Sequence, residues 1–345
     1  MKTFHNPVHS RHAGRHEMYR GHLVPCHEVP DRLEHVLAEL RRRPLGQLLE
    51  PGSADRGQIA RVHSPRYLDF LEHAWDEWIA IDPGHARQDA LPAVWPVRGF
   101  RHDILPASFA ARIGLFSYDA GTPLTAGTWQ AAMAGAACAQ HAAAAVAAGD
   151  RCAFALTRPP GHHAGPDFFG GYCFINNAAI AAQALRERGA ARVAVLDIDY
   201  HHGNGTQTIF YQRADVLTVS LHGDPHTEYP FFLGYADERG EGDGLGCNLN
   251  LPLARGTGFD AWSEALETGL QAVKAHGAEA LVVPMGMDTF EGDPISGFHL
   301  RSEDYLRVGD RLRQAGLPTV FTFEGGYAVA EVGVNAVNLL QGFAG

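Results

Sequence analysis

The sequence contains no run of about 18 consecutive apolar residues, the length that a membrane-spanning helix needs. Its start, Met1-Lys-Thr-Phe-His-Asn, lacks the apolar core of a secretory signal peptide. We therefore expect no membrane span and no export, and we place the protein in the cytoplasm.

Paired cysteines and basic runs are also missing. The five cysteines show neither a paired spacing nor a Cys-x-x-Cys motif, which favours a reducing compartment. The net charge is −11, and no run of Lys and Arg is long enough to form a phosphate-binding patch. Nucleic acid is thus a poor candidate partner, and cationic small molecules suit the charge better.

The chain has no Gly/Ser-rich or Pro-rich linker, no internal repeat and no low-complexity segment. Its 345 residues exceed the length of about 150 that a single domain has on average. We nevertheless predict one domain over 1–345, because 46% hydrophobic content supports a large core. Residues 83–108 mix Pro, Gly, Arg and His without periodicity, which is typical of a functional or interface loop.

Apolar runs alternate with amphipathic segments along the chain, and this alternation predicts an α/β fold. The pattern is that of a three-layer α/β/α architecture with a central, mostly parallel sheet. The predicted strands cover 152–157, 193–196, 215–220, 281–285 and 318–323. The predicted helices cover 28–42, a segment beginning at the Ser64 cap, 129–148, 176–188, 259–276 and 302–314.

Polar residues able to do chemistry follow four of these strands. Because the carboxyl ends of parallel strands share one edge of a sheet, we expect these residues to meet there. After the strand 193–196, Asp199 and His201 are two residues apart and should project to the same side. The other three groups are His162 and His163 in Arg-Pro-Pro-Gly-His-His, Asp288 in Gly-Met-Asp, and Tyr327 in Glu-Gly-Gly-Tyr.

Asp199, His201 and Asp288 form a predicted set of three ligands for a divalent metal ion. Catalytic zinc sites use three protein ligands and leave one position open. Two carboxylates and one imidazole also suit Fe²⁺ or Co²⁺, so we expect Zn²⁺, with Fe²⁺ and Co²⁺ as alternatives.

Four motifs, in the order in which a known family has them, carry a resemblance to that family. They are Pro-Pro-Gly-His-His, Gly-Gly-Tyr-Cys-Phe-Ile-Asn-Asn, Asp-Ile-Asp-Tyr-His-His-Gly-Asn-Gly-Thr-Gln and Glu-Gly-Gly-Tyr. Nearly the whole chain resembles the histone deacetylase superfamily and is most similar to its bacterial acetylpolyamine amidohydrolases. The resemblance implies a metal-dependent hydrolase that removes acetyl groups from N-acetylated polyamines of the acetylputrescine and acetylcadaverine type.

Within that chemistry, His163 is the expected base and acid, with Asn204 as its neutral partner. An amide partner should leave the pKa of His163 near its reference of about 6.5. The resemblance implies that His162 donates a hydrogen bond to Asp197, and a carboxylate partner should keep His162 charged. The phenol of Tyr327, after two glycines, is suited to donate to the developing oxyanion.

The resemblance also implies sites around the metal centre. A structural K⁺ ion would use Asp197 and Ser220 with the backbone carbonyls of Asp199, His201 and Leu221. The substrate would pass Gly171 and the aromatic side chains Tyr172 and Tyr229.

Glu17 and Asp119 are the candidate counter-charges for a distal ammonium at the mouth. Some family members carry Glu where this chain has Ala110 and Gly121, so the polyamine preference stays open. The branch further implies a homodimer whose irregular loops help to form the tunnel mouth.

Deacetylation of acetyl-lysine in proteins or peptides is the alternative function. It would use the same chemistry with a different substrate. The width of the channel distinguishes the polyamine substrate from the protein substrate. The long loops at 83–108 and 223–247 should narrow the channel entrance and so disfavour a folded protein. A binuclear manganese ureohydrolase is disfavoured, because His202 and Phe290 stand where such an enzyme needs carboxylates.

Overall fold

An eight-stranded, entirely parallel sheet forms the centre of the structure, a computed structural model that describes residues 1–345. The predicted three-layer α/β architecture is confirmed. The strands, in chain order, are β1 (Lys2–His5), β2 (His16–Tyr19), β3 (His22–Pro25), β4 (Gln47–Leu49), β5 (Cys152–Leu156), β6 (Val193–Asp197), β7 (Val216–Gly223), β8 (Asn248–Leu253), β9 (Ala280–Met285) and β10 (Thr319–Phe323). β2 and β3 form a separate antiparallel hairpin.

Ten α-helices cover the sheet and its edges. They are α1 (Asp31–Arg42), α2 (Arg56–Ile59), α3 (Pro65–Ile81), α4 (Phe109–Leu115), α5 (Thr128–Ala147), α6 (Asn177–Glu187), α7 (Asn204–Phe210), α8 (Phe259–His276), α9 (Asp304–Gln314) and α10 (Val329–Ala344). None of them is both long and apolar enough to cross a membrane.

Each face of the sheet carries its own hydrophobic core. Along β5, Ala153 and Ala155 face one core, whereas Phe154 and Leu156 face the other. The helices α3, α5 and α6 cover the first face, and α1, α8, α9 and α10 cover the second. Since both faces of the central strands are buried, β5, β6 and β9 are apolar over nearly their whole length, whereas β7 alternates apolar residues with the buried Thr218, Ser220 and His222.

The strand order explains why the four polar motifs meet. Across the sheet the order is β4-β1-β5-β10-β9-β6-β7-β8. The four strands that precede the motifs, β5, β10, β9 and β6, are therefore consecutive neighbours. Their carboxyl ends form one continuous edge, which is where sites of open α/β sheets lie.

The segment 83–108 is irregular, as predicted. After a 3₁₀ turn at Pro83–Arg87 its only ladder contact is a bridge between Ala90 and Leu124. Six of its apolar side chains are exposed, namely Val94, Trp95, Val97, Phe100, Ile104 and Leu105.

Candidate active site and metal centre

Asp199, His201 and Asp288 converge at the edge formed by β6 and β9. Their potential ligand atoms all lie within 4.8 Å of one another, and all three residues are buried. His201 Nδ1 lies 3.0 Å from Asp288 Oδ2 and 3.4 Å from Asp199 Oδ1. β6 ends at Asp197, so Asp199 and His201 lie on the turn after the strand rather than on the strand itself.

The donor set fits a divalent cation. Neither Asp199 nor Asp288 forms an ion pair with Lys or Arg, although both are almost fully buried. Burial and the charge of Asp199 raise the pKa of Asp288 to about 7. Two buried carboxylates beside one imidazole are the type of ligands that Zn²⁺, Fe²⁺ and Co²⁺ accept, and the cation would neutralise their charge.

Glycine makes the close packing around these carboxylates achievable. A Cβ atom on Gly325 would lie 2.3 Å from Asp288 Oδ2 and 2.7 Å from Asp199 Oδ2. The backbone N–H of Gly325 instead donates to Asp199 Oδ2 at 2.8 Å. The Glu-Gly-Gly-Tyr motif therefore contacts the predicted metal ligands directly.

His162 and Asp197 form a buried ion pair. His162 Nδ1 lies 2.9 Å from Asp197 Oδ2, and neither residue is more than 3% exposed. Burial opposes the charge on His162, but Asp197 and Asp199 outweigh it and raise the pKa of His162 to about 10. The geometry therefore agrees with an imidazolium that keeps its charge at neutral pH.

His163 differs from its neighbour because its partner is an amide. His163 Nδ1 donates to Asn204 Oδ1 at 2.6 Å, and Tyr118 donates to the same oxygen at 3.4 Å. The expectation of a pKa near 6.5 is wrong: burial and the neighbouring His162 and His201 hold the pKa of His163 well below that value. His163 is thus neutral, with Nε2 left as an acceptor.

Tyr327 lies over the same edge of the sheet. Its backbone N–H donates to Asp293 Oδ2 at 2.7 Å, and the guanidinium carbon of Arg32 lies 4.8 Å from its ring centroid. Burial raises the pKa of the Tyr327 phenol well above 10, so the hydroxyl remains a proton donor.

Aromatic side chains surround these polar groups. The ring of Tyr229 is 5.2 Å from that of His163 and 6.1 Å from that of His201. The ring of Tyr172 is 5.5 Å from that of Tyr327. Tyr172 has a φ of 66°, uncommon for a residue other than glycine and frequent at ligand sites.

The two predicted counter-charges already have partners. Glu17 is only 1% exposed and accepts from the Tyr172 hydroxyl at 2.9 Å and from His27 Nδ1 at 2.7 Å. Asp119 accepts from the Tyr229 hydroxyl at 2.6 Å and from the Gly171 backbone N–H at 2.7 Å. Both carboxylates are therefore hydrogen-bonded to the aromatic side chains Tyr172 and Tyr229 and help to fix their positions.

The residues of the implied K⁺ site also lie together. Asp197 and Ser220 are paired across β6 and β7, with Leu221 directly after Ser220. A cavity of about 10 Å³ borders both Asp197 and Ser220. The Ser220 hydroxyl itself is hydrogen-bonded to His222 Nδ1 at 2.8 Å.

Three contributing residues were not singled out from the sequence. They are Tyr118 and His27, which contact Asn204 and Glu17, and Asp293, which accepts from Tyr327. Asp293 lies in Asp-Pro-Ile-Ser, five residues after the predicted ligand Asp288. Tyr118 carries no local sequence signal, since its partner Asn204 is 86 positions away, and His27 meets Glu17 only through the β2–β3 hairpin, which was not predicted.

Fold and site together define an α/β protein with a candidate metal centre at the carboxyl edge of a parallel sheet. Residues 26–343 match the model of the histone deacetylase domain, and the chain belongs to that family. It is 52% identical to acetylpolyamine amidohydrolase 2 of Pseudomonas aeruginosa, over 100% of this chain and 99% of the relative. It is 46% identical to the acetylpolyamine amidohydrolase of Mycoplana ramosa, over the full length of both.

A solved structure resembles this one over almost the full length of both chains. The acetylpolyamine aminohydrolase of Burkholderia pseudomallei superposes with a TM-score of 0.94 at 40% identity, covering 99% of this chain and 98% of that chain. The sequence-based assignment to the histone deacetylase superfamily is thereby confirmed.

Proposed function

We propose that this protein is a metal-dependent amidohydrolase that removes acetyl groups from N-acetylated polyamines such as acetylputrescine and acetylcadaverine. The observation that carries the chemistry is the pair of histidines with unlike partners beside a three-ligand cluster: His162 on Asp197, and His163 on Asn204. The polyamine substrate is supported by the names and full-length similarity of the relatives.

Asp199, His201 and Asp288 would hold the metal ion, with Zn²⁺ as the first candidate and Fe²⁺ or Co²⁺ as alternatives. When a divalent ion is bound there, it supplies Lewis-acid chemistry, making water a stronger nucleophile and the acetyl carbonyl a stronger electrophile. Its binding also removes the cost of keeping two carboxylates close together in the interior.

His163 acts as the base and then as the acid. With Nδ1–H held by Asn204, Nε2 has a free lone pair and can take the proton of the attacking water. As the water oxygen bonds to the acetyl carbon and the C–N bond of the amide breaks, the same proton passes from Nε2 to the departing nitrogen. The second proton of the water leaves the acetic acid formed, so the products are acetate and the protonated amine.

His162 and Tyr327 stabilise the charge that develops on the acetyl oxygen. His162 remains cationic through its ion pair with Asp197. Tyr327 keeps its phenolic proton because burial raises its pKa, so it can donate to the oxyanion.

The aromatic side chains that line the path of the substrate to the metal cluster suit an aliphatic amine. Tyr172 and Tyr229 can cover a methylene chain, and each buried CH₂ contributes about 0.8 kcal/mol. Glu17 and Asp119 lie behind the hydroxyls of these tyrosines and would give the approach a negative potential that attracts a distal ammonium. Gly171 completes the wall next to His163, where a Cβ atom would lie 2.2 Å from the imidazole.

Two further features are part of the proposal. A structural K⁺ ion would be bound by Asp197, Ser220 and the carbonyls of Asp199, His201 and Leu221. A homodimer would cover the exposed apolar side chains of the segment 83–108, since contiguous exposed apolar residues mark interaction surfaces. Light scattering coupled to gel filtration tests the dimer.

The decisive assay compares N-acetylputrescine, N-acetylcadaverine, N-butylacetamide and an acetyl-lysine peptide, each with the Zn²⁺-loaded protein and with a chelated control. We expect metal-dependent turnover with the highest kcat/KM on the two diamines. N-butylacetamide has the same chain as acetylputrescine without the ammonium, so it isolates charge recognition. A preference for the peptide would move the function to protein or peptide deacetylation, and equal rates on all four would exclude recognition of the ammonium.

A further inference from the structure

Glu324 is a buried carboxylic acid that is not part of the Asp199–His201–Asp288 cluster. It follows β10, is fully buried and forms no ion pair with Lys or Arg. Its Oε1 accepts from the Thr322 hydroxyl at 2.9 Å. Because an isolated buried carboxyl is costly, the contacts of its other oxygen must justify its position.

The second oxygen binds the backbone of the histidine turn. Oε2 accepts from the backbone N–H of Gly161 at 2.6 Å and from that of His162 at 3.1 Å. These are consecutive amides of the loop after β5, and they have no partner in the sheet. Burial raises the pKa of Glu324 to about 7, and Oε2 can remain an acceptor in either protonation state.

The same turn is held from two other directions. The His162 side chain is bound by Asp197, and the His163 side chain by Asn204. The backbone carbonyl of His162 accepts from the N–H of Thr206 at 3.1 Å. Glu324 supplies the contact from the side of β10, where no other side chain binds these amides.

Glu324 also begins the segment that ends at Tyr327. The next residue, Gly325, donates its N–H to Asp199, and Tyr327 donates its N–H to Asp293. The Glu324 side chain thus connects the backbone that carries the two histidines to the backbone that carries the phenol.

We propose that Glu324 is a positioning residue that sets the distance between the His162–His163 turn and the Tyr327 segment; this inference rests on the proposed function. It acts through the two backbone amides and does not touch substrate. An oxygen acceptor at this position is the essential feature, and the negative charge is not.

The test compares Glu324→Gln, which keeps an oxygen acceptor, with Glu324→Met, which has a similar length and lacks one. Thr157→Val is the matched control, because the buried Thr157 hydroxyl donates to the carbonyl of Phe323 at 2.7 Å and joins the same two strand ends without reaching the turn. We measure kcat and KM on N-acetylputrescine, bound metal, and hydrogen exchange of the peptide that contains Gly161 and His162.

For Glu324→Met we expect faster exchange of these amides and a loss of about 100-fold in kcat with KM and metal content retained, since a displacement of about 1 Å has that effect on rate. Glu324→Gln should keep these amides protected from exchange and retain most of the kcat of the parent. Thr157→Val should lower the melting temperature and leave kcat near that of the parent.

Three outcomes would overturn the proposal: unchanged exchange in Glu324→Met, an equal loss of kcat in Thr157→Val, or a Gln variant that is stable but as slow as Met. If Glu324→Met does not fold, the Gln variant decides alone through its kcat and exchange. Hydrogen exchange is measured without substrate, so a parent that hydrolyses no acetylpolyamine would refute the proposed function and leave the positioning role to be judged by exchange.

Discussion

The imidazole of His163 donates to the side-chain amide of Asn204 at 2.6 Å, whereas the adjacent His162 donates to a carboxylate. Two consecutive residues of the same type are thereby given opposite protonation states. Burial and the cationic neighbour hold the pKa of His163 low, and Asp197 with Asp199 raises the pKa of His162 to about 10 despite burial. This difference makes one imidazole a base and the other a fixed cation.

Asn204→Asp should convert His163 into a second cation. A carboxylate partner raises the pKa of His163, so the neutral base is lost at a higher pH than in the parent. We expect the acidic limb of the kcat profile to move to higher pH and activity at pH 7 to fall. Asn204→Ala is the control, since it removes the acceptor without adding charge; an equal shift of the limb in both variants would contradict the assignment.

His163→Ala should be more damaging than His162→Ala at neutral pH. The first substitution removes the only base and acid, an effect of about 10² to 10⁴ in kcat. The second removes a charge near the oxyanion and leaves proton transfer intact. Steady-state kcat with metal content measured in parallel checks this, and equal, mild losses would mean that the roles are assigned wrongly.

Tyr327→Phe should fold, bind metal and turn over about 10² to 10³ times more slowly, because it lacks the donor to the oxyanion. Tyr67→Phe is a matched control: its buried hydroxyl donates to the carbonyl of Phe174 at 2.6 Å, and its ring contacts His63 and Phe116, none of which acts in the proposed mechanism. We expect it to lower the melting temperature only. A near-parental rate for Tyr327→Phe would exclude the proposed oxyanion role.

Asp288→Asn should abolish tight binding of the divalent metal. The parent should retain one equivalent of Zn²⁺ per chain after dialysis and gain melting temperature on adding it, because an ion that binds only the folded state stabilises that state. The variant should show neither effect by elemental analysis and calorimetry. Asp304→Asn, also buried but hydrogen-bonded to the backbone of Arg301, should behave like the parent.

Acid should remove a contribution to stability that comes from two buried histidines, in a pH range above that in which ordinary carboxylates titrate. Burial lowers the pKa of His63 to about 4, and burial with Arg158 lowers that of His12 to about 3. The unfolded chain binds these protons near pH 6.5, so the contribution of His63 and His12 to stability is complete above that value and is lost as the pH falls toward 4 and then 3. Melting temperatures between pH 7.5 and 4 test this for the parent and for His63→Gln, in which the decline should be shallower.

The interior elements could be predicted from local pattern because each has a strong periodic or apolar signal. The helix expected over 259–276 is observed at Phe259–His276, and the cap of α3 at Ser64 accepts from the backbone of Tyr67. The edge strand β4 and its neighbour β1 were not predicted, since each has four residues or fewer and mixes polar with apolar side chains. α10 was also missed; most of its surface is buried, so no single polar face marks it.

The sequence by itself determined which chemical groups follow each central strand: two acids and an imidazole for a metal, a histidine pair, and a phenol after two glycines. Short-range steric and apolar preferences act within a few residues, so the strands and the residues directly after them can be inferred from the chain alone. Only the tertiary structure decided the partners, such as Glu17 with Tyr172 and Glu324 with Gly161. These hydrogen bonds join residues more than 150 positions apart, and the second depends on the strand order that places β5 beside β10.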